Sequence, residues 1–269
     1  MTNRDTAGLD ARIEASLAGL RVGAPPTLAP AALVAAGLAD AYAQIDTPLG
    51  PAIVTWNGRG ISSIAWPADP ATLERDFQAA HGRRAFPAPA VPANLARAIE
   101  RRLAGDRRTR IRLDLRGSTP FERAVWQKTL EIPRGEVRPY GWVAAEIGRP
   151  AAVRAVGTAL GHNPIPLVVP CHRVVRSDGT IGQYSMGGPE SKRRILRAEG
   201  LDPDDMERQA RAGVRYLGSA TTRVVCLPTC HNARRITARH RVLFRSLAAS
   251  TEAGFRPCRE CRPVGVAAA

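Results

Sequence analysis

Apolar and polar positions alternate most clearly over residues 41–66. "AYAQIDT", "AIVTW" and "ISSIAW" read as three strands, with "PLGP" and "NGRG" turning between them. Asn57-Gly58 between two such runs predicts a hairpin. The period then lengthens, and "PATLERDFQAAH" and "ANLARAIERRLAG" each predict a helix. A small antiparallel sheet packed with helices is expected over 41–112. Upstream, Leu9, Ile13, Leu17 and Leu20 recur at helical spacing, and "GAPPTLAP" breaks that pattern. Residues 1–40 therefore read as an extension with a short helix.

A mostly helical unit is expected over 113–202. "STPFERAVWQKTLEIP" carries Ser118 or Thr119 as a cap, Pro120 at the first helical position, and an apolar face of Val125, Trp126 and Leu130. "YGWVAAEIGRPAAVRAVGTAL" holds two short helical runs around Gly148-Arg149-Pro150, the shape of a helix-turn-helix and equally of many other helical hairpins. A Gly-rich loop, "SDGTIGQYSMGG", precedes a final helix, "PESKRRILRAEG". The polar stretch over 203–212 reads as a linker with some helix. The fold class is α/β, closed by a small cysteine-rich unit over 213–264.

Composition narrows the classes. No apolar run approaches the ~18 residues of a membrane span. The N-terminus lacks a basic segment followed by an apolar one, so it does not read as a secretory signal. A cytoplasmic, monomeric protein is expected. The formal net charge is +15, and only Lys128 and Lys192 are lysines. Coding bias explains part of the arginine excess, and a polyanionic partner such as nucleic acid explains the rest. Five cysteines is an odd number, which points to metal ligation or catalysis rather than a disulfide framework.

The cysteines divide by spacing. Cys171 stands alone in "NPIPLVVPCHRVV", beside His172. A thiol attacks as the thiolate, so it needs a base, and the base needs an orienting group. Glu199 in "LRAEG" is the candidate orienter. The plain alternative is an inert buried cysteine at the end of a strand. Cys226, Cys230, Cys258 and Cys261 form C-x3-C and C-x2-C pairs 27 residues apart, which is a zinc signal. An iron–sulfur cluster, a disulfide pair or a purely structural metal are the alternatives.

"PCHRVV" and its surroundings, from "FERAVWQKTLEIP" to "KRRILRAEG", resemble the O6-alkylguanine-DNA alkyltransferases over residues 121–200, and the unit from 41 resembles that family's N-terminal domain. The resemblance implies a DNA-repair protein that moves an alkyl group irreversibly from guanine O6, and from thymine O4, onto its own cysteine. Cys171 matches the acceptor, His172 the histidine acting through a water as its base, and Glu199 the carboxylate that orients the histidine. Asn163 matches the asparagine that braces the active-site turn. Arg154 matches the arginine that replaces the extruded base in the stack. Tyr140 matches the tyrosine that assists base rotation and protonates guanine N3. Tyr184 and Ser185 match the loop that closes over the base, and Ser185 is the donor to O6. Between Tyr184 and the last helix this chain has one residue more than some relatives.

"TTRVVCLPTC" and "AGFRPCRECRP" resemble the metal-binding domain of Ada-type repair regulators over 213–264, which implies Zn2+ on Cys226, Cys230, Cys258 and Cys261. Cys226 falls on the ligand that accepts methyl from DNA methylphosphotriesters. Four thiolates on one zinc carry net negative charge and make the sulfur electron-rich. Arg234, next to Arg235, falls on the DNA-contacting arginine. The gap between the cysteine pairs is one residue longer than in Ada. The domain order is reversed, and the helix-turn-helix regulatory region is missing, so gene activation is not expected. The partner implied is alkylated double-stranded DNA. Three rival readings stand beside this one: a zinc unit that is only structural or DNA-binding, a non-catalytic lesion-binding protein, and a Cys-His-Glu hydrolase.

Overall fold

The computed structural model describes residues 28–66 and 69–265. The predicted helix around Leu9–Leu20 lies outside them. The first described element is helix α1, Leu28–Ala36. It begins inside "GAPPTLAP", where a break was expected. Pro30 occupies the first turn, whose N–H groups have no intrahelical partner in any case, so the proline costs no hydrogen bond there.

Strands β1 (Asp40–Ile45), β2 (Ala52–Asn57) and β3 (Gly60–Ala65) follow as expected. Helix α2 (Pro70–His81) is capped by Asp69, strand β4 spans Ala85–Pro87, and helix α3 spans Ala93–Leu103. The sheet order is β3-β2-β1-β4. The sheet is not purely antiparallel, because β4 pairs parallel to β1. A three-residue strand carries too little alternation to be seen in sequence. The hairpin also differs in detail. Asn57 pairs with Gly60, which leaves Gly58-Arg59 as the loop. The Asn57 side chain turns inward and donates to Asp40 at 2.8 Å and Asp114 at 2.7 Å. Gly58 is required by α1: a Cβ there would stand 2.0 Å from Ala35 O.

Helix α4, Pro120–Thr129, opens with Thr119 and Glu122 in a reciprocal capping box. Strand β5 (Arg138–Pro139) leads directly into α5 (Tyr140–Glu146), and α6 spans Val153–Gly161. A one-turn 3-10 helix, Cys171–Arg173, runs into β6 (Val174–Val175), which pairs parallel with β5. Helix α7 is Gly188–Ala198. Residues 203–212, expected as a linker with some helix, are mostly helix α8, Pro203–Arg211. Asp202 caps it, accepting the N–H groups of Asp204 and Asp205.

The cysteine-rich unit is a second sheet, β7 (Tyr216–Ser219), β8 (Val224–Cys226), β9 (Arg241–Phe244) and β10 (Arg256–Pro257), in the order β10-β8-β7-β9. Helices α9 (His231–Arg234) and α10 (Leu247–Glu252) complete it. Gly218 on β7 lets the Phe244 and Phe255 rings close on the strand; a Cβ would meet them at 2.7 and 2.6 Å. One continuous apolar core runs through all three units, from Val54 and Ile64 through Trp126, Val143 and Val169 to Leu217 and Val225. Among the described residues no helix is long and apolar enough to cross a membrane.

Candidate active site and metal centre

Cys171 sits at the start of the 3-10 turn, buried to 5 % exposure. It does not end a strand, as the apolar run had implied. Residues 163–170 fold back on themselves instead, and Leu167 takes a left-handed φ of 70°. Asn163 holds this turn closed. Its Nδ2 donates to Val169 O at 2.9 Å and to Cys171 Sγ at 3.2 Å, and its Oδ1 accepts Ile165 N–H at 3.0 Å. The sheet of the first unit supports the turn from behind, with Ile64 N–H on Pro164 O at 2.9 Å.

His172, the next residue in the chain, is 1 % exposed. Its Nε2 is 3.0 Å from Glu199 Oε1. Arg173 grips the same carboxylate with Nε and Nη2, the latter at 2.7 Å, and Gly135 N–H donates to Oε2 at 3.2 Å. Burial alone would raise the Glu199 carboxyl, but the His172 and Arg173 donors outweigh it and bring it down to about 2. An ionised Glu199 only accepts, so Nε2 carries the imidazole proton and Nδ1 the lone pair. That Nδ1 is buried and has no protein partner. Burial also lowers the basicity of His172, against the pull of Glu199, so the ring is neutral and able to take a proton. Burial pushes the Cys171 thiol up, opposed by Asn163 and Lys192. The resting group is a thiol that needs a base.

Sequence reasoning overlooked three partners at this site. Arg173 and Gly135 hold Glu199. Lys192, on α7, is 1 % exposed and donates to Val174 O at 2.6 Å. Burial draws its pKa down to about 8, and its ammonium stands 6.0 Å from the Tyr140 ring centre. The signal was available: in a chain whose basic residues are otherwise arginine, one of two lysines falls here. The positive charge of Lys192 opposes the burial that holds the Cys171 thiol protonated.

Tyr140 is half-buried at the N-terminus of α5, its phenol raised by burial and by Cys171. Tyr184 is buried with its hydroxyl unpartnered and its ring edge-on to His172, centroids 6.5 Å apart. Ser185, next to it, is exposed in the loop. Arg154 stands exposed on the first turn of α6. Helices α5 and α6 with the turn at 147–152 form the expected helix-turn-helix, with Trp126 Nε1 on Ala159 O at 2.8 Å locking α6 to α4.

The four clustered cysteines are all buried, and their sulfurs lie within 4.8 Å of one another. Zn–S bonds of about 2.3 Å set tetrahedral sulfurs about 3.8 Å apart, so the donor set fits zinc. Cys226 comes from the end of β8, Cys230 caps α9, and Cys258 and Cys261 lie after β10. Leu227 N–H donates to Cys261 Sγ at 3.3 Å, and the Asn232 amide reaches Cys258 Sγ at 3.6 Å. The N–H groups of Asn232 and Ala233 turn towards Cys230. Among the described residues none donates to Cys226. Arg234 is exposed but engaged: its Nη2 donates to Gly135 O at 3.1 Å, across the junction between units. Its neighbour Arg235 is exposed.

A buried thiol with a histidine–carboxylate pair, next to a helix-turn-helix and a four-cysteine metal centre, defines a thiol-based group acceptor built against a DNA-binding element. The comparisons make this specific. Residues 120–201 match the family model "6-O-methylguanine DNA methyltransferase, DNA binding domain", and residues 206–264 match "Metal binding domain of Ada". A methylated-DNA–protein-cysteine methyltransferase of Mycobacterium tuberculosis is 37 % identical over 159 residues, 59 % of this chain and 91 % of that protein. The bifunctional transcriptional activator/DNA repair enzyme Ada of Escherichia coli is 39 % identical over 169 residues, 60 % of this chain and 46 % of that protein. A crystal structure of Mycobacterium tuberculosis OGT in complex with DNA is 35 % identical, covering 62 % of this chain and 98 % of that one at a TM-score of 0.49. The chain belongs to the methylated-DNA–protein-cysteine methyltransferase family. Its C-terminal unit is a zinc-binding domain of the Ada type.

Proposed function

We propose that this chain repairs alkylated double-stranded DNA by irreversible transfer to its own thiols, as a monomer in the cytoplasm. We divide the chain into an extension (1–40), an α/β domain (41–112), the alkyltransferase domain (113–202) and the zinc domain (213–264), joined through α8.

The observation that carries the reading is the arrangement at Cys171: a sulfur braced by Asn163 beside a neutral imidazole whose other nitrogen is committed to Glu199. At 5 % exposure the sulfur is reached only by a nucleotide rotated out of the duplex, at a cost of a few kcal/mol. Arg154 fills the gap left in the stack. His172 takes the thiol proton, and Glu199 stabilises the imidazolium. The thiolate then forms an S–C bond to the alkyl carbon as the C–O6 bond breaks. The electron pair goes to guanine, which Tyr140 protonates at N3. Ser185 donates to O6, and Tyr184 closes the pocket. The product thioether has no route back, so each molecule reacts once. Incubation with duplex DNA carrying labelled O6-methylguanine checks this. One label per chain, mapped to Cys171, is expected; an unlabelled Cys171 overturns the reading, and repeated turnover on an ester would reveal a hydrolase.

Cys226 is the second acceptor, for methyl from neutral backbone phosphotriesters. When bound, zinc keeps the four sulfurs deprotonated. N–H donors draw charge from a thiolate, and Cys226 is the one ligand without such a donor among the described residues. Arg235, exposed beside Arg234, is the arginine we assign to the DNA backbone. Burial of all four sulfurs favours a second reading, in which the centre is structural. Mass spectrometry after treatment with methylphosphotriester DNA separates them: methyl on Cys226 supports transfer, and an unmodified, zinc-loaded Cys226 leaves the structural role.

A further inference from the structure

Three residues of the zinc unit converge on one strip of the alkyltransferase unit, residues 135–137. Arg234 Nη2 donates to Gly135 O at 3.1 Å. His231 N–H donates to Glu136 Oε1 at 3.1 Å. Thr229 Oγ1 accepts Val137 N–H at 2.9 Å and lies 3.3 Å from Val137 O. All three residues flank the ligand Cys230, which is itself the cap of α9. The contact is buried on the far side as well: Glu136 pairs with Arg138 at 2.6 Å, both 3 % exposed. Trp142 closes the edge, with Nε1 on Cys261 O at 2.9 Å and the Arg138 and Arg262 guanidiniums each 5.6 Å from its ring centre.

The opposite face of the strip touches the guanine site. Gly135 N–H is one of the donors that hold Glu199, and Glu199 holds His172. Gly135 is pinched between the two units: a Cβ would lie 3.0 Å from Glu199 O and 3.7 Å from the Arg234 guanidinium, and its φ is 72°. A single peptide segment thus gives its N–H to the catalytic carboxylate and its C=O to the metal-holding unit.

We propose that the zinc unit positions the base of the guanine site: Thr229 and Arg234 are positioning residues for Glu199, acting through the 135–137 strip. This rests on the reading of Cys171 as the acceptor. Without the two contacts the Gly135 carbonyl and the Val137 peptide lose their partners in the zinc unit, the strip keeps β5 and the His231–Glu136 bond, and the Gly135 N–H is held less firmly on Oε2. Glu199 then orients His172 less well, and the imidazole is a weaker base. The charged and titratable groups facing His172 are Glu199, Arg173, Lys192, Cys171 and Tyr184, with Arg102 and Arg176 one step further out. None of them is replaced in the test below.

The test uses the full-length, zinc-loaded protein and duplex DNA carrying labelled O6-methylguanine, under single-turnover conditions across pH. For the double variant Thr229→Val, Arg234→Met the transfer rate falls about tenfold, the scale set by a slightly misplaced catalytic group. One zinc per chain is retained. The pH of half-maximal rate moves down by about half a unit, because a weaker base sheds its proton at lower pH, and the plateau rate above it falls. Thr229→Val alone moves the same way by less, and Thr229→Ser restores the wild-type profile. If the double variant loses its zinc, the single variant decides. An unchanged rate and profile, or a fall that is equal at every pH, overturns the inference while leaving Cys171 as acceptor. Absence of label on Cys171 in the wild-type chain overturns both.

Discussion

Glu199 concentrates more of the chemistry than any other side chain at the site, receiving His172, Arg173 and Gly135 at once. Its pKa of about 2 lies below the usual 4.5, so its ionised form favours the folded state. That stability is present above the unfolded pKa and is lost as pH falls from about 4.5 through about 2. The shift corresponds to about 3 kcal/mol. Urea titrations from pH 5 to pH 2 are expected to show a steep loss of stability in the wild type and a shallower one in Glu199→Gln. Asn163→Ala removes two donations and one acceptance from the active-site turn. Val169 O keeps the Cys171 N–H at 2.8 Å, but leaving Ile165 N–H unpaired in a buried turn is expected to cost about 1–3 kcal/mol, read as a lowered urea midpoint, with slower labelling of Cys171. At this scale much of the site was legible. Cys171, His172, Asn163 and Glu199 follow from motif and resemblance. Lys192 was marked only by being a lysine among arginines, and Arg173 was visible in the same tetrapeptide without an evident role.

Local periodicity identified β1–β3 and the helices α2–α7, but none of the strands of the cysteine-rich unit. α2 falls where its sequence predicted it, from Pro70 to His81, because Asp69 and Pro70 start it and Gly82 in a left-handed conformation ends it. Two of the misses are local: β4 is too short to alternate, and Pro30, read as part of a break, sits in the first turn of α1. The Asn57-Gly58 pair marks the β2–β3 hairpin as expected and has a second duty that local pattern did not show, the asparagine in a buried network and the glycine at a close approach of α1. Gly58→Ala would place a methyl against the Ala35 carbonyl and is expected to lower stability by about 1–3 kcal/mol, with a parallel fall in melting temperature. Arg154→Ala, on α6, is expected to slow transfer from duplex DNA about tenfold or more while leaving transfer from a single-stranded oligonucleotide within about twofold. Only the duplex requires an unstacking cost to be offset, and each tenfold in rate is about 1.4 kcal/mol. Comparing the two substrates in one assay checks it.

At the scale of the whole molecule, the core and the 135–137 strip make the zinc unit part of the fold rather than an appendage. Chelation would leave four buried thiols crowded together in a unit whose folding is coupled to its metal. A strong chelator is therefore expected to lower the calorimetric transition and to raise hydrogen exchange at the Val137 amide, which Thr229 otherwise protects. Protection of Val137 unchanged after zinc removal would mean that the junction stands without the metal. The sequence by itself indicated the first three strands, the helices between Pro70 and Ala198, the isolated nucleophile and the four clustered cysteines. Each of these is written in local spacing or in a contiguous motif. Tertiary structure decided which side of the chain each residue serves. Arg234 meets Gly135, Gly135 meets Glu199, and Trp142 meets Cys261 across separations of 99, 64 and 119 residues. No local pattern encodes such pairs, because they form only when the buried surfaces of two units are pressed together and every polar group left between them must find a partner.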